Sequence, residues 1–266
     1  MAKSDFASQY PAVRAAGLRA NATPSRQRQD LAARRGLLFL SLIPAVLFVL
    51  IGAALLVRSW PIVERYPLAE LIGGETWKPM KGLFGFRPFI TGTLWVTAVG
   101  VLLAVPPCIF TALYLSEYAS NATRAFLKPL LDVLAAIPSV VYGVWGVIAI
   151  VPLVGDVLHP ALEGWLGFLP LFSSQQPTGY SILAGGIVLA VMISPFIIAV
   201  TYEVLRTIPD GWRQASLALG ATRWQTITRV ILRQALPGIL ASVVLGTSRA
   251  FGETMAVLMV VGDVPQ

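Results

Sequence analysis

The stretch GLLFLSLIPAVLFVLIGAALLV, Gly36 to Val57, runs for 22 residues without a charge. As a helix it rises about 33 Å, enough to cross a hydrocarbon core of about 30 Å. A helix lying against water needs a polar face, and this one has none. Further uncharged runs follow it. Pro88 to Ser116 holds a second span, Val133 to Gly155 a third, and about Tyr180 to Tyr202 a fourth. A fifth extends from about Leu236 to Val261, interrupted by Arg249 and Glu253. The polar segment SSQQPTG, Ser173 to Gly179, reads as a loop before the fourth span.

Composition agrees. Of 266 residues, 56% are hydrophobic and 12% charged, with mean hydropathy +0.74. A soluble domain carries about twice that share of charge. The chain reads as an all-α polytopic membrane bundle. Its single cysteine, Cys108, excludes an intramolecular disulfide, and its single histidine, His159, placed here in an outer loop, excludes a multi-histidine metal site.

The net charge of +7 follows topology rather than nucleic acid binding. The tail before the first span holds 7 basic residues, the segment between spans two and three 2, and that between spans four and five 5. The other side holds 5, between spans one and two, with Arg249 left inside the membrane. A bias of 14 to 5 places the N-terminus in the cytoplasm. The organisation expected is a basic, flexible cytoplasmic tail over 1–35, a first transmembrane helix over 36–57 and a periplasmic loop over 58–87. A core over 88–262 follows, with a cytoplasmic loop at 203–235.

That loop contains QASLALGATRW, Gln214 to Trp224. Pro209-Asp210-Gly211 is a turn with Asp210 as helix N-cap. A short helix from Trp212 to Leu219 stops at Gly220, the residue suited to a left-handed helix end. From Thr222 a second helix places Trp224, Ile227 and Ile231 near one face. Such a helix–glycine–helix can simply lie in the headgroups with its arginines on anionic lipid. The pattern also resembles the cytoplasmic loop of ATP-binding-cassette importer permeases, Glu-Ala-Ala, three residues, Gly, nine residues, Ile-x-Leu-Pro. Gln214, Ala215 and Ser216 stand for its first part, Gly220 falls at the required spacing with Ala221 after it, and Val230 to Arg233 stand for its last. Gln214, Ser216, Val230 and Arg233 depart from the pattern. The resemblance implies a coupling helix that docks on a separate ATPase. No glycine of this chain is followed by lysine, so it holds no Gly-x4-Gly-Lys phosphate-cradling loop.

Span five carries RAFGETMA, Arg249 to Ala256. Two charges at mid-membrane cost about 5–7 kcal/mol, against about 3–7 kcal/mol returned by the Leu, Ile, Val and Phe residues around them. Both charges therefore face protein or water, and their i,i+4 spacing allows them to pair. One reading is a structural ion pair. The other is a pathway, because guanidinium makes bidentate contacts to oxyanions.

Four strings resemble the phosphate-specific importer permeases. They are WKP with FGFRPFITGTL (Trp77 to Pro79, Phe84 to Leu94), YLSEY (Tyr114 to Tyr118), AIPSVVYG (Ala136 to Gly143) and GETMA (Gly252 to Ala256). The string YLSEY and the polar tail favour the first-encoded of that system's two paralogous permeases. The resemblance implies the type I importer fold and a multi-pass place in the bacterial inner membrane. It implies a substrate pathway through Arg249, Glu253 and Thr254, with Pro138, Ser139 and Tyr142 as further candidates. It also implies a second permease, an ATPase dimer that uses ATP and Mg, and a periplasmic phosphate-binding protein, with no cofactor on this chain. Permeases for sulfate, molybdate or tungstate share the oxyanion chemistry. A passive anion channel would not need the Gly220 loop. An intramembrane enzyme lacks its pair of catalytic groups, since Glu253 is the only acid well inside a span. The family continues through a sixth span, so with five the chain reads as a fragment, one helix short.

Overall fold

The computed structural model describes residues 24–161 and 179–262, and side chains from residue 29 onward. The expected loop at Ser173 to Gly179 lies almost wholly outside the described residues, as do the first 23 positions of the tail. Two compact units divide the chain, Met1–Leu68 and Ala69–Gln266.

The described part of the first unit is dominated by one helix, α1, Pro24–Arg65. It starts well before the apolar run, so residues from Pro24 to Arg35 are helical, not flexible tail. Proline at the first helical position forfeits no hydrogen bond, and no glycine or further proline interrupts the Arg-, Gln- and Ala-rich turns that follow. The helix also runs past Val57 into the expected loop. Its surface presents Leu37, Phe39, Phe48 and Val57.

The second unit opens with a short helix α2, Leu68–Gly73, and a two-stranded antiparallel hairpin, β1 Trp77–Lys78 and β2 Leu83–Phe84, registered Trp77 to Phe84. The Trp77 ring packs against Phe84, Phe86 and Phe89 at centroid distances of 5.7, 5.2 and 5.3 Å. The segment expected as loop is thus a small aromatic knot that leads into α3, Arg87–Glu117.

Then come α4 (Asn121–Ala136), α5 (Ser139–Ala161), α6 (Ile182–Arg206), α7 (Asp210–Ala218), α8 (Arg223–Phe251) and α9 (Met255–Val261). Among the described residues, α3, α5, α6 and α8 are long and apolar enough to cross a membrane, and with the stretch Gln29–Arg65 of α1 they make five. The third span begins at Ser139 and not at Val133, because Pro138 forces Ile137 into an extended conformation (ψ 130°) that ends α4. His159 lies on α5 rather than in a loop. Two π-helical turns, Gly146–Ile150 and Val154–Leu158, flank Pro152 in α5, where the missing amide breaks the regular ladder.

Helix α6 is the hub. Ile193, Ile197 and Leu205 are fully buried, and α3, α4, α8 and α9 all pack on it. Lipid offers no hydrophobic drive between helices, so close backbone approach supplies the dispersion contacts. Gly186 is the contact toward α3, where an added Cβ would lie 2.4 Å from Val99. Toward α8, a Cβ on Gly246 would lie 2.6 Å from Ile197. The hydroxyls of Thr201 and Ser242, both fully buried, bond across the α6–α8 seam at 2.8 Å.

Candidate functional site

Two constellations emerge in the second unit. The first forms where α4 ends. A helix C-terminus leaves its last carbonyls without intrahelical donors, and the peptide dipoles make that end negative. Tyr142, buried on the first turns of α5, donates its hydroxyl to the Leu134 carbonyl at 2.9 Å. Arg249, on the last turn of α8, donates Nη2 to the Ala135 carbonyl at 3.3 Å. Its guanidinium carbon lies 5.8 Å from the Phe196 ring centroid, on α6. Guanidinium carries five N–H donors, and one is engaged by protein among the described residues. Arg249 is half-buried, so the others can meet an oxyanion.

The expected pairing of Arg249 with Glu253 does not form. Helix α8 ends at Phe251, and the chain turns through Gly252 before α9. This break removes the i,i+4 geometry on which the pairing depended. Glu253 Oε1 instead accepts from the Ala256 amide at 3.0 Å and so caps α9, where the helix dipole favours an anion. Thr254 is the N-cap residue of α9 by position, but its hydroxyl makes no capping bond, and the residue is exposed. Pro138 is the exposed N-cap residue of α5 and Ser139 its first helical residue. Helices α5 and α9 touch closely here: a Cβ on Gly143 would lie 3.0 Å from Ala256 Cα. Pro138, Ser139, Tyr142 and Arg249 thus gather around one helix end, with Glu253 and Thr254 on the adjoining break.

The second constellation surrounds Gly220. Its φ of +82° is the left-handed conformation in which glycine alone is unstrained. The Ala221 amide bonds to the Ser216 carbonyl at 3.3 Å across it, the six-to-one closure of a glycine-ended helix. Thr222 and Gln225 form a reciprocal capping box that starts α8. Gln214 and Ala215 are exposed, and the Ser216 hydroxyl meets that of Thr226 at 2.9 Å. Asp210 is the first helical residue rather than the N-cap, which is Pro209, and its carboxylate accepts from Arg213 at 3.2 Å. Ile227 and Ile231 are buried. Trp224 is not with them: it is 59% exposed and joins Trp212, Leu217 and Leu219 as apolar groups displayed around the turn.

Sequence reasoning missed what holds this turn. Arg213 Nη2 and Nε donate to the two carboxylate oxygens of Glu117, at 2.8 and 3.2 Å. Its remaining donors reach the carbonyls of Ile208 and Leu205 at 2.9 and 3.2 Å, besides Asp210. The hydrogen bonds Arg213 donates to the Glu117 carboxylate hold its pKa above the ordinary guanidinium value. Arg124 donates to the Leu115 and Ser116 carbonyls at 2.8 and 2.9 Å, and Arg223 donates to that of Glu117. The signal available was Glu117 itself, an acid closing an apolar run.

A cavity of about 260 Å³ lies beside this region, lined by Leu115, Arg124, Lys128, Tyr202 and Glu203 among others. Lys128 and Glu203 pair across it at 2.6 Å, and that bond raises the Lys128 pKa. Arg249 is not among its lining residues, so it is distinct from the first constellation.

Comparison with known proteins covers both constellations. Residues 109–265 match the family described as the inner membrane component of binding-protein-dependent transport systems. The phosphate transport system permease protein PstC of Haemophilus influenzae is 36% identical over 230 residues, 84% of this chain and 72% of that protein. A probable phosphate transport system permease protein PstC of Methanocaldococcus jannaschii is 34% identical, over 82% of this chain and 70% of its own. The probable ABC transporter permease protein YqgH of Bacillus subtilis is 40% identical over 73% of this chain and 58% of its own. With a family match reaching from within α3 to beyond α9, over Glu117, Gly220 and Arg249 alike, the chain belongs to the binding-protein-dependent transport system inner membrane components.

Proposed function

We propose that this chain is the membrane-spanning permease subunit of an ATP-driven importer of inorganic phosphate. The observation that carries the reading is likeness to phosphate transport permeases over more than four-fifths of the chain. Arg249 supports it chemically. It is a half-buried guanidinium set in a span, and among the described residues it is held by a carbonyl and a ring face rather than by a carboxylate, with donors left over. An oxyanion that reaches it finds charge and a planar fork without first displacing a salt bridge. Glu253 and Thr254 flank the path on the α8–α9 break, and Pro138, Ser139 and Tyr142 form the wall at the end of α4.

The chain is a transport component and not itself a catalyst. In this reading hydrolysis of ATP, with Mg, belongs to an ATPase dimer, and this chain holds no cofactor of its own. The ATPase docks on α7 and its turn, at Gln214, Ala215, Ser216, Gly220 and Ala221, where Trp212, Leu217, Leu219 and Trp224 offer exposed apolar anchors. A second paralogous permease completes the pathway, and a periplasmic binding protein delivers phosphate to its outer mouth. The excess of basic residues in the tail and in the segments after spans two and four supports a cytoplasmic N-terminus.

Competitive uptake into vesicles holding the reconstituted importer tests the substrate. Excess unlabelled phosphate is expected to suppress uptake of labelled phosphate, with sulfate, molybdate and tungstate far weaker. Preferred uptake of sulfate, or of either metal oxyanion, contradicts the phosphate reading.

A further inference from the structure

Apolar burial does not hold α7 in place, because none of its described residues is buried. Its attachment is polar. One link is the Ser216–Thr226 hydroxyl bond. The other is Arg213, whose five donors are all spent, two of them on the carboxylate of Glu117. Glu117 is 8% exposed and the Arg213 side chain 20%, so solvent screens the pair little. Such a pair adds little net stability over an apolar substitute, yet it fixes geometry, since each partner left alone is a buried unpaired charge. Lysine could not replace the arginine, for it lacks the planar fork.

The grip extends to the other arm of the turn. Arg223, beyond Gly220, donates to the Glu117 carbonyl, and its guanidinium lies 4.9 Å from the Tyr118 ring centroid. The last turn of α3 therefore holds both helices that flank Gly220. At its middle, α3 meets α6 at the close Val99–Gly186 contact, and α6 carries the Phe196 ring that faces Arg249.

We propose that Glu117 and Arg213 form a clamp that makes α7 and the inner end of α3 move as one body. Displacement of α7 by a docked ATPase then passes into the membrane bundle rather than being absorbed in the loop. This rests on the reading of α7 as the docking helix. Both act as positioning residues, through the helices they join.

Hydrogen–deuterium exchange on the full permease–ATPase complex, with and without a non-hydrolysable ATP analogue, tests the clamp. In the wild type, nucleotide is expected to change exchange at both 210–218 and 113–119. In Glu117→Gln the change persists at 210–218 and is lost at 113–119, and substrate uptake per ATP hydrolysed falls at least about ten-fold. Arg213→Lys, which keeps the charge and loses the fork, carries the same expectation where Glu117→Gln is not recovered from the membrane. A nucleotide response at 113–119 that survives either substitution overturns the proposal. Failure of the wild type to import phosphate is a separate result: it contradicts the substrate reading, and the exchange comparison still decides the clamp.

Discussion

The guanidinium of Arg249 donates to the backbone carbonyl of Ala135 at 3.3 Å, across the junction of α8 with the end of α4. A charge in a span is costly unless protein or water compensates it, and here the compensation is the negative end of a helix. That choice leaves the side chain fixed in direction while most of its donors meet no acceptor among the described residues.

Arg249→Gln is therefore expected to abolish phosphate uptake while the ATPase still co-purifies with the permease. Arg249→Lys keeps the charge and loses bidentate contact, so uptake falls roughly 10–100-fold, the loss of one or two charged hydrogen bonds. Initial uptake rates in reconstituted vesicles measure both. Wild-type rates in Arg249→Gln remove Arg249 from the pathway.

Tyr142→Phe deletes the donor to the Leu134 carbonyl and leaves an acceptor short of a partner at the α4 end. A loss of about 0.5–1.5 kcal/mol in stability is expected, read as a lowered Tm of the detergent-solubilised protein. Uptake falls far less than in Arg249→Gln, because the hydroxyl orients the helix end rather than carrying charge to it. Equal losses of uptake in the two variants would move Tyr142 into the substrate contact itself.

Gly220 separates backbone strain from docking. Proline cannot adopt its φ of +82° and removes the amide that bonds to the Leu217 carbonyl, so Gly220→Pro is expected to release the ATPase. Asparagine tolerates the left-handed region, and Gly220→Asn retains binding at a cost of about 1 kcal/mol. Co-purification of the tagged ATPase distinguishes them. A Gly220→Pro complex that stays intact and coupled contradicts the docking assignment.

Packing along α6 is tested at Gly246. A leucine there meets Ile197 within 2.6 Å of the new Cβ, in a seam with no room to yield. Gly246→Leu is expected to destabilise by about 1–3 kcal/mol or more, seen as a lowered Tm and loss of monodisperse protein. Thr201→Val leaves the Ser242 hydroxyl its Ile239 carbonyl acceptor at 2.7 Å and costs only about 0.6 kcal/mol.

The spans were legible because hydrophobic length is a one-dimensional signal. Uncharged runs located α3 and α6 to within a few residues, whereas the run from Leu236 to Val261 spans the latter part of α8, which begins at Arg223 and ends at Phe251, together with the separate α9. The glycine spacing located the Gly220 turn, since a left-handed position is written in residue type. What stayed hidden depends on where helices stop in space. The Arg249–Glu253 spacing suggested a pair only so long as α8 continued, and Gly252 ends it. The span-three boundary moved because Pro138 outweighed the apolar residues before it. Glu117 and Arg213 stand 96 positions apart, and no local pattern joins them. Their meeting comes from the chain folding α7 back beneath α3.

The central claim is that this permease passes phosphate at the expense of ATP hydrolysed by a partner. The direct measurement is accumulation of labelled phosphate in sealed vesicles containing this permease, its paralogue and the ATPase, with the binding protein on the opposite face from the nucleotide. The account predicts accumulation above the external concentration that requires ATP and disappears in Arg249→Gln. Phosphate that merely equilibrates, equally with and without ATP, would contradict it and identify a passive channel.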